Sequence, residues 1–277
     1  MIPLGIIAGG GDLPRAVAQS ARADGRTVYV IALTGSLTGD WVADFAHEFA
    51  SPGAPGQAFK SLRREGVVEI LLAGKIDRPR FSELKLDAKG VMLLPRALKA
   101  ARQGDDALLR FLVAMFEEEG FRALSVAEAA PGLVCGEGNL GRLFPDDDAR
   151  ADMTRGFAIV AALGALDVGQ AAVVCEGLAL AVEAAEGTDA MIARVAGLRE
   201  ALRGTLQKKR GVLVKALKPT QDSRTDMPVI GAATVEAAAA AGLAGIGLEA
   251  GGALIVDKAL VAARADALGL FVTGVKL

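Results

Sequence analysis

The sequence is poor in the residues on which several common kinds of catalytic centre depend. It has one histidine, two cysteines, one tryptophan and one tyrosine among 277 residues. A single histidine, His47, supplies neither a Ser-His-Asp relay nor a histidine-rich two-metal phosphatase centre, and no Cys/His spacing indicates a zinc site. Cys135 and Cys175 each lie in or beside an apolar run, which favours buried, inert thiols in a reducing compartment.

Excess positive charge and long apolar runs are also lacking. The formal net charge is −2, whereas a nonspecific nucleic-acid binder usually carries a clear basic excess, so no nucleic-acid partner is expected. No apolar run approaches the roughly 18 residues that cross a bilayer. Residues 1–7 lack a positive segment ahead of their apolar residues, so no signal peptide is expected. These absences predict a cytoplasmic protein that meets lipid, if at all, from the cytoplasmic surface.

Small and aliphatic residues are what the sequence has in abundance, with 52% hydrophobic and 34 glycine residues. An apolar run over 4–8, a glycine turn, a helix from Pro14 and a second strand over 27–33 are typical of a parallel, doubly wound sheet. A further strand is predicted over 67–73, and a helix over 107–119. Proline- and glycine-rich breaks then place a domain boundary between residues 136 and 137. The prediction is an α/β protein with an N-terminal Rossmann-like parallel sheet over 1–136 and a C-terminal, catalytic, mixed α/β domain over 137–277.

The second half is predicted to mix helices with short strands. A helix over 152–166 precedes a hairpin about Glu176 and Gly177, and a second helix, capped by Thr188 or Asp189, extends to about Arg203. Strands are expected over 171–175, 178–184, 212–217, 245–248, 253–256 and 270–273.

A glycine loop, Gly9-Gly10-Gly11, precedes the first helix. A dinucleotide fingerprint needs a third glycine where Pro14 stands, and a carboxylate at the end of the second strand, where the sequence has Leu33, Thr34 and Gly35. NAD binding is therefore disfavoured. Glycines before a helix N-terminus can present N–H groups to a phosphate, and the alternative is a tight strand–helix turn without a ligand.

A polar loop after the predicted strand over 212–217 combines lysine, arginine and aspartate between prolines. Asp222 and Asp226 suit a hard divalent cation such as Mg²⁺. Lys215, Lys218 and Arg224 suit the phosphates of a substrate. The alternative is a set of solvated loop charges that pair with one another.

Further carboxylates follow other predicted strands. Glu183 continues an apolar strand, where a carboxylate is costly unless it is paired or bound to a metal. Glu183, Glu186 and Glu249 are therefore secondary candidates for contacts with a metal or a lysine. Helix capping accounts for Asp189 without any chemistry.

Several segments together resemble one enzyme family along nearly the whole chain. They are residues 7–14 (IAGGGDLP), 74–79 (GKIDRP), 104–110 (GDDALLR), 167–171 (DVGQA), 183–189 (EAAEGTD), 218–231 (KPTQDSRTDMPVIG) and 241–245 (AGLAG). In these segments the chain resembles the UDP-2,3-diacylglucosamine pyrophosphatases of bacterial lipid A biosynthesis. This is the type once classed as a family of unknown function, and it is distinct from the histidine-rich metallophosphoesterase type.

The resemblance implies a Mg²⁺-dependent hydrolase that cleaves UDP-2,3-diacylglucosamine to 2,3-diacylglucosamine 1-phosphate (lipid X) and UMP. It implies two α/β domains that bind the lipid between them, and a peripheral location at the cytoplasmic face of the inner membrane, with a homodimer as one option. An essential aspartate is implied in the loop that holds Asp222 and Asp226. The expected substrate contacts are Gly9, Gly10, Gly11, Asp12, Lys75, Gln221 and Thr188. The expected metal ligands are Asp222, Asp226, Glu183 and Glu186, and the expected catalytic residues are Asp226, Asp222, Arg224, Lys218 and Lys215.

Two other classes of function stay open at the level of sequence. One is a nucleotide-sugar-binding transferase or oxidoreductase that uses the N-terminal glycine loop, although the absent third glycine and ribose carboxylate count against it. The other is a non-catalytic lipid or nucleotide carrier, in which the acidic loop only gates a pocket.

Overall fold

The computed structural model describes residues 2–75, 84–218 and 227–277, without the side chains of residues 105 and 106. These residues form two compact units, the first ending at Gly132 and the second beginning at Leu133. The boundary predicted from the sequence, between residues 136 and 137, lies four residues further along the chain and stays a prediction. No helix among the described residues has the length and apolar character that a membrane crossing requires.

The N-terminal unit is built on a five-stranded sheet in the order β3-β2-β1-β4-β5, with every pairing parallel. Its strands are β1 (Leu4–Ala8), β2 (Val28–Leu33), β3 (Ala46–Ala50), β4 (Glu69–Ala73) and β5 (Arg122–Ala123). Its helices are α1 (Leu13–Ala23), α2 (Pro55–Arg64), α3 (Ala88–Ala101), α4 (Asp105–Glu118) and α5 (Val126–Ala129), with a 3-10 turn at Trp41–Asp44. The predicted Rossmann-like parallel sheet is confirmed.

The central strands of this sheet are apolar and are buried on both faces. Every residue of β1 and β2 is buried, as expected for the central strands of a parallel sheet covered by helices. One face packs against α2, α3 and α4, where the rings of Phe59, Phe116 and Phe121 form an edge-to-face cluster. Helix α1 buries Val17, Ala18 and Ala21 in a stripe of helical spacing, and Pro14 in its first turn is compatible with a helix start.

The C-terminal unit is built on a six-stranded mixed sheet in the order β6-β13-β11-β9-β7-β8, beside a parallel pair of β10 and β12. Its strands are β6 (Gly138–Asn139), β7 (Ala171–Cys175), β8 (Leu178–Val182), β9 (Val212–Lys215), β10 (Val229–Ile230), β11 (Gly245–Glu249), β12 (Leu254–Ile255) and β13 (Phe271–Val275). Its helices are α6 (Asp147–Ala165), α7 (Gly187–Ala196), α8 (Ala232–Ala240) and α9 (Lys258–Leu268). The predicted mixed α/β unit is confirmed.

The predicted hairpin between β7 and β8 is confirmed, and two features stabilise its turn. Glu176 and Gly177 both have positive φ, 51° and 75°, the backbone of a two-residue turn whose twist matches the strands. The buried carboxylate of Asp152 accepts the N–H groups of both residues, at 2.9 and 2.7 Å. The hairpin is therefore pinned to α6.

Three helix ends differ from the prediction. Helix α6 begins at Asp147, earlier than expected, because the Asp146 carboxylate caps it by accepting the Ala149 N–H at 2.8 Å. The predicted cap of α7 at Thr188 or Asp189 is wrong. The helix begins at Gly187 with Glu186 as its N-cap, since the Thr188 hydroxyl is committed to another partner. Helix α7 also ends at Ala196, well before Arg203.

Candidate active site

The strand order of the N-terminal unit places a switch point beside β1. Strand β1 pairs with β2 on one side and with β4 on the other, and the chain moves outward in both directions. Open α/β sheets bind ligands in the crevice outside the carboxyl ends of the strands at such a point. Gly10, after β1, and Lys75, after β4, meet there through two backbone hydrogen bonds, Gly10 N to Lys75 O at 2.8 Å and Lys75 N to Gly10 O at 2.9 Å.

The glycine loop is shaped by this close contact. A Cβ on Gly9 would lie 2.6 Å from the carbonyl oxygen of Lys75, and Gly11 has a φ of 85°. The N–H groups of Gly9 and Gly10 donate to the carbonyls of Ala73 and Lys75, and that of Gly11 donates to the Thr38 hydroxyl at 3.2 Å. All three glycine N–H groups are thus used within the protein, which favours the tight-turn interpretation of the loop.

A phosphate at this edge would therefore meet other groups. The exposed Asp12 side chain makes no capping hydrogen bond to α1, although the Asp12 backbone carbonyl accepts the Ala16 N–H at 3.0 Å. The exposed Lys75 stands at the same edge. Substrate contacts at Gly9, Gly10, Gly11, Asp12 and Lys75 stay predictions.

In the C-terminal unit, polar residues from four strands meet at one edge of the sheet. Lys215 ends β9 and Glu249 ends the parallel strand β11. Because β7 is antiparallel to both β8 and β9, Gln170, directly before β7, and Glu183, directly after β8, reach the same edge. In the sequence, residues 219–226 of the acidic loop begin four residues after Lys215.

A buried network of hydrogen bonds joins Glu183, Thr188 and Lys215. The Lys215 ammonium donates to the Thr188 hydroxyl at 2.9 Å and to the Val229 carbonyl at 3.2 Å. The Thr188 hydroxyl donates to Glu183 Oε1 at 2.5 Å, while Glu183 Oε2 accepts the Gln170 N–H at 3.1 Å. Glu183 and Lys215 are only 6% and 4% exposed. Opposite charges at this depth are tolerated because each has polar partners.

The remaining candidates at this edge also have protein partners. Lys218 Nζ lies 2.8 Å from Asp167 Oδ1. Glu249 Oε2 accepts the N–H of Leu217 at 2.8 Å and so holds the backbone that leaves β9. The Glu186 carboxylate pairs with Arg194 at 2.5 Å.

The structure therefore brings together some of the predicted site residues. Glu183, Thr188 and Lys215 share one network, and Lys218 follows within the same segment. Glu186 is held instead by Arg194. Gln221, Asp222, Arg224 and Asp226 lie outside the described residues, so their roles stay predictions.

The sequence reasoning missed Gln170. Its side-chain oxygen is buried and has no hydrogen-bond partner among the described residues. The neighbouring Gly169 has no room for a side chain, since a Cβ there would lie 2.1 Å from the Glu183 carbonyl oxygen. The sequence signals were a polar residue directly before the buried strand β7 and its place in segment 167–171, one of those that carry the family resemblance. A buried oxygen without a donor is one that a cation or a substrate N–H can satisfy.

The carboxylate oxygens of Glu183 and the amide oxygen of Gln170 can be compared with the ligands that the implied Mg²⁺ ion needs. Among the residues that the structure describes, no group of three or more His, Cys, Asp or Glu side chains is placed to hold a metal. Glu183 and the unpaired amide oxygen of Gln170 are nevertheless the hard oxygen ligands that Mg²⁺ prefers. Glu186 fits less well because Arg194 already neutralises it. Glu183 and Gln170 are thus two described residues at this edge whose oxygens suit a magnesium ion by their chemistry.

The cysteines and the histidine are poorly placed to act as nucleophiles. Both thiols are free and buried, and burial raises the pKa of Cys135 and of Cys175. Neither is therefore a ready thiolate nucleophile, and the prediction of buried thiols is confirmed. His47 lies on β3, with its Nδ1 2.9 Å from the Phe45 carbonyl oxygen.

Two family models and one relative match the chain along nearly its whole length. Family models described as the LpxI N-terminal domain and the LpxI C-terminal domain match residues 3–133 and 136–273. A UDP-2,3-diacylglucosamine pyrophosphatase LpxI from Caulobacter vibrioides is 47% identical over 275 residues, covering 99% of this chain and 98% of its own. A UDP-N-acetylglucosamine 4-epimerase structure from Bacillus cereus aligns at 15% identity over 44% of this chain and 34% of its own. Its TM-score of 0.27 is too low to indicate a shared fold. With both halves matched in order and a relative matched from end to end, the chain belongs to the LpxI family.

Proposed function

We propose that the chain hydrolyses the pyrophosphate of UDP-2,3-diacylglucosamine to UMP and 2,3-diacylglucosamine 1-phosphate (lipid X), in lipid A biosynthesis. The observation that carries the proposal is the 47% identity to a relative of that name, over 99% of this chain. The buried network around Lys215 supports it, since the cleavage of a pyrophosphate needs fixed positive charge.

Lys215 is suited to stabilise the charge that develops on the phosphates. Its ammonium is held by the Thr188 hydroxyl and the Val229 carbonyl in a water-poor position. A donor fixed in advance in such a place stabilises a transition state more than a mobile surface lysine does. Lys218 and Arg224 are proposed to bind phosphate oxygens, and Glu183 positions Lys215 through Thr188.

The proposed cofactor is Mg²⁺, held by Asp222 and Asp226 together with Glu183 and the Gln170 amide oxygen. When bound, the ion would neutralise phosphate charge and lower the pKa of a coordinated water. Because the two thiols are buried and His47 is tied to a backbone carbonyl, we propose direct attack by water without a covalent intermediate.

We also propose that the protein works as a peripheral protein at the cytoplasmic face of the inner membrane. A substrate with two acyl chains is carried by a lipid bilayer, and the enzyme must meet it there. A homodimer remains one option for its oligomeric state.

The first experiment is to incubate the purified chain with UDP-2,3-diacylglucosamine, with Mg²⁺ or with EDTA, and to follow UMP release. We expect release with Mg²⁺ and none with EDTA. If folded protein releases no UMP under either condition, the proposal is wrong.

Single substitutions test the assignment of roles. Lys215→Met is expected to lower kcat/KM about 100-fold or more, as for loss of one transition-state donor. The exposed Lys208→Met, in the same unit, is the matched control and is expected to keep the parent rate. Asp222→Ala and Asp226→Ala are made separately, and at least one is expected to abolish hydrolysis while the fold is kept. If both retain near-parent rates, the acidic loop is not the metal site.

A further inference from the structure

The solvent-facing side of helix α3 carries a stripe of apolar side chains. Val91 and Met92 are 58% and 71% exposed, and Leu98 is 36% exposed. The exposed Pro95 stands between Val91 and Leu98 at helical spacing, so these three residues follow one line along the helix. Leu93, on the opposite side, is buried. Single apolar residues are ordinary on a surface, whereas a continuous apolar stripe marks a contact surface.

Positive charge accompanies this stripe. Residues 88–104 contain four basic residues and no acidic one, in a chain whose net charge is −2. Lys89 and Arg96 pair with glutamates at the end of α4, at 2.5 and 2.6 Å. Lys99 and Arg102 are exposed and make no ion pair among the described residues. Two cations of the helix are therefore available to an anionic partner.

A lipid surface of negative charge matches both features of the helix. Apolar residues beside lysine and arginine on one helix are the pattern of a helix that lies in the plane of a membrane interface. Nucleic acid would match the charge but not the apolar stripe, since its interfaces with proteins are polar. A twofold contact between two copies of the chain through this face would bring like charges together.

We infer that the exposed face of α3 binds an anionic lipid surface. Val91, Met92 and Leu98 enter the boundary between headgroups and acyl chains, while Lys99 and Arg102 contact the lipid phosphates. The inference rests on the proposed function, whose lipid substrate is carried by a bilayer, and it deepens the proposed peripheral location by naming the face that meets the membrane.

The test measures how much of the full chain sediments with lipid vesicles, without substrate and without Mg²⁺. One set of vesicles is phosphatidylcholine alone, and in the other about a quarter of the lipid is the anionic phosphatidylglycerol. We expect the parent to bind the anionic vesicles more tightly. We also expect added salt to weaken that binding, because salt screens exposed charges.

A charge variant combines Lys99→Gln with Arg102→Gln. Each basic residue near an anionic surface is worth about fivefold in binding, so affinity for the anionic vesicles should fall about twentyfold. Affinity for the neutral vesicles should stay at the parent value. The matched control combines Arg155→Gln with Lys208→Gln, which removes two exposed charges from the C-terminal unit. It has the same net charge and is expected to bind as the parent does.

An apolar variant combines Val91→Ser with Met92→Ser. Fully burying one such side chain is worth at least about tenfold in affinity. Because more than half of each side chain is exposed, most of that gain is still available, and we expect affinity for both kinds of vesicle to fall about tenfold or more. Leu166→Ser with Leu206→Ser is the matched control, since these leucines are 75% and 63% exposed elsewhere on the chain.

Several outcomes would overturn the inference. One is a parent that stays in the supernatant with both kinds of vesicle. Another is parent-like binding by both α3 variants, or an equal loss in these variants and their controls. A parent dimer that the apolar variant dissociates, with vesicle binding unchanged, would show that a second copy covers this face. If the apolar variant fails to fold, the charge variant decides alone, because it alters only exposed side chains.

Failure of the inference is distinguishable from failure of the proposed function, because vesicle binding is measured without the substrate. If the parent releases UMP from substrate in detergent micelles and the α3 variants bind vesicles as the parent does, the reaction stands and only the lipid-binding face is refuted. If the parent binds vesicles through α3 and releases no UMP, the face stands and the proposed reaction is wrong.

Discussion

Replacing Thr188 by valine removes the hydroxyl that connects two buried charges and keeps the volume of the side chain nearly unchanged. In the parent, that oxygen accepts from Lys215 at 2.9 Å and donates to Glu183 at 2.5 Å. After the substitution Glu183 keeps the Gln170 N–H and Lys215 keeps the Val229 carbonyl. Both charges thus lose one partner, and neither loses all of them.

The size of the effect follows from the charge of these partners. A hydrogen bond to a charged group contributes about 1.5–3 kcal/mol, and the retained partners place the two lost bonds near the lower end, at about 3 kcal/mol together. In a domain of 150–250 residues, 1 kcal/mol shifts the melting temperature by about 2–4 °C. Thr188→Val is therefore expected to lower the melting temperature of the C-terminal unit by about 6–12 °C in differential scanning calorimetry.

Thr188→Ser is the matched control, because it keeps the hydroxyl and removes only a methyl group. We expect it to melt within about 3 °C of the parent, since one buried methyl is worth about 0.8 kcal/mol. A Thr188→Val protein that melts with the parent would refute the idea that this hydroxyl holds the network together. Equal destabilisation by serine and valine would refute it too, since packing would then be the cause.

Three further predictions concern other described residues. The Ser61 hydroxyl and further hydrogen bonds lower the pKa of Glu48 from 4.5 to about 2, so its stabilisation is present above pH 4.5 and is lost as the pH falls toward 2. Glu48→Gln should therefore flatten the acid limb of a stability–pH curve measured by urea unfolding, and an unchanged limb would contradict this. Asp152→Ala removes the acceptor of both N–H groups in the β7–β8 turn and should cost about 3 kcal/mol in the same assay, whereas a cost below about 1 kcal/mol would refute the anchor. Cys135 and Cys175 should react with a thiol reagent only after denaturation, because burial raises the pKa of both; rapid labelling of native protein would show that they are accessible.

The sequence predicted the strands whose apolar residues run without a break. Strands β1, β2 and β7 are buried along their whole length, so apolar runs bounded by glycine or polar residues mark them well. Strand β3 was not predicted, because it is an edge strand whose exposed residues include His47 and Phe49. Helix α3 was also missed, since Gly90 and Pro95 lie within it and both oppose a helical assignment.

The sequence identified residues of the candidate site more reliably than it identified the contacts between them. A threonine at the start of a helix is typical of an N-cap, and only the fold shows that the Thr188 hydroxyl donates to Glu183 instead. Glu183 follows an apolar strand and is itself buried, and the cost of a carboxylate in such a position was a sound signal. Its partner could not be seen in the sequence. The buried Lys215, which donates to the same Thr188 hydroxyl, lies on a strand about thirty residues further along the chain.

Strand direction explains why such distant residues meet. Gln170, Glu183, Lys215 and Glu249 are spread over eighty residues, yet each stands where a strand begins or ends at one edge of the sheet. The N-terminal unit obeys the same rule, since the residues after β1 and β4 meet at its switch point. The end of a strand is visible in the sequence, whereas strand order is not. A polar residue that ends a buried strand is therefore a good candidate for a site, and its partners become known only when the order of the strands is known.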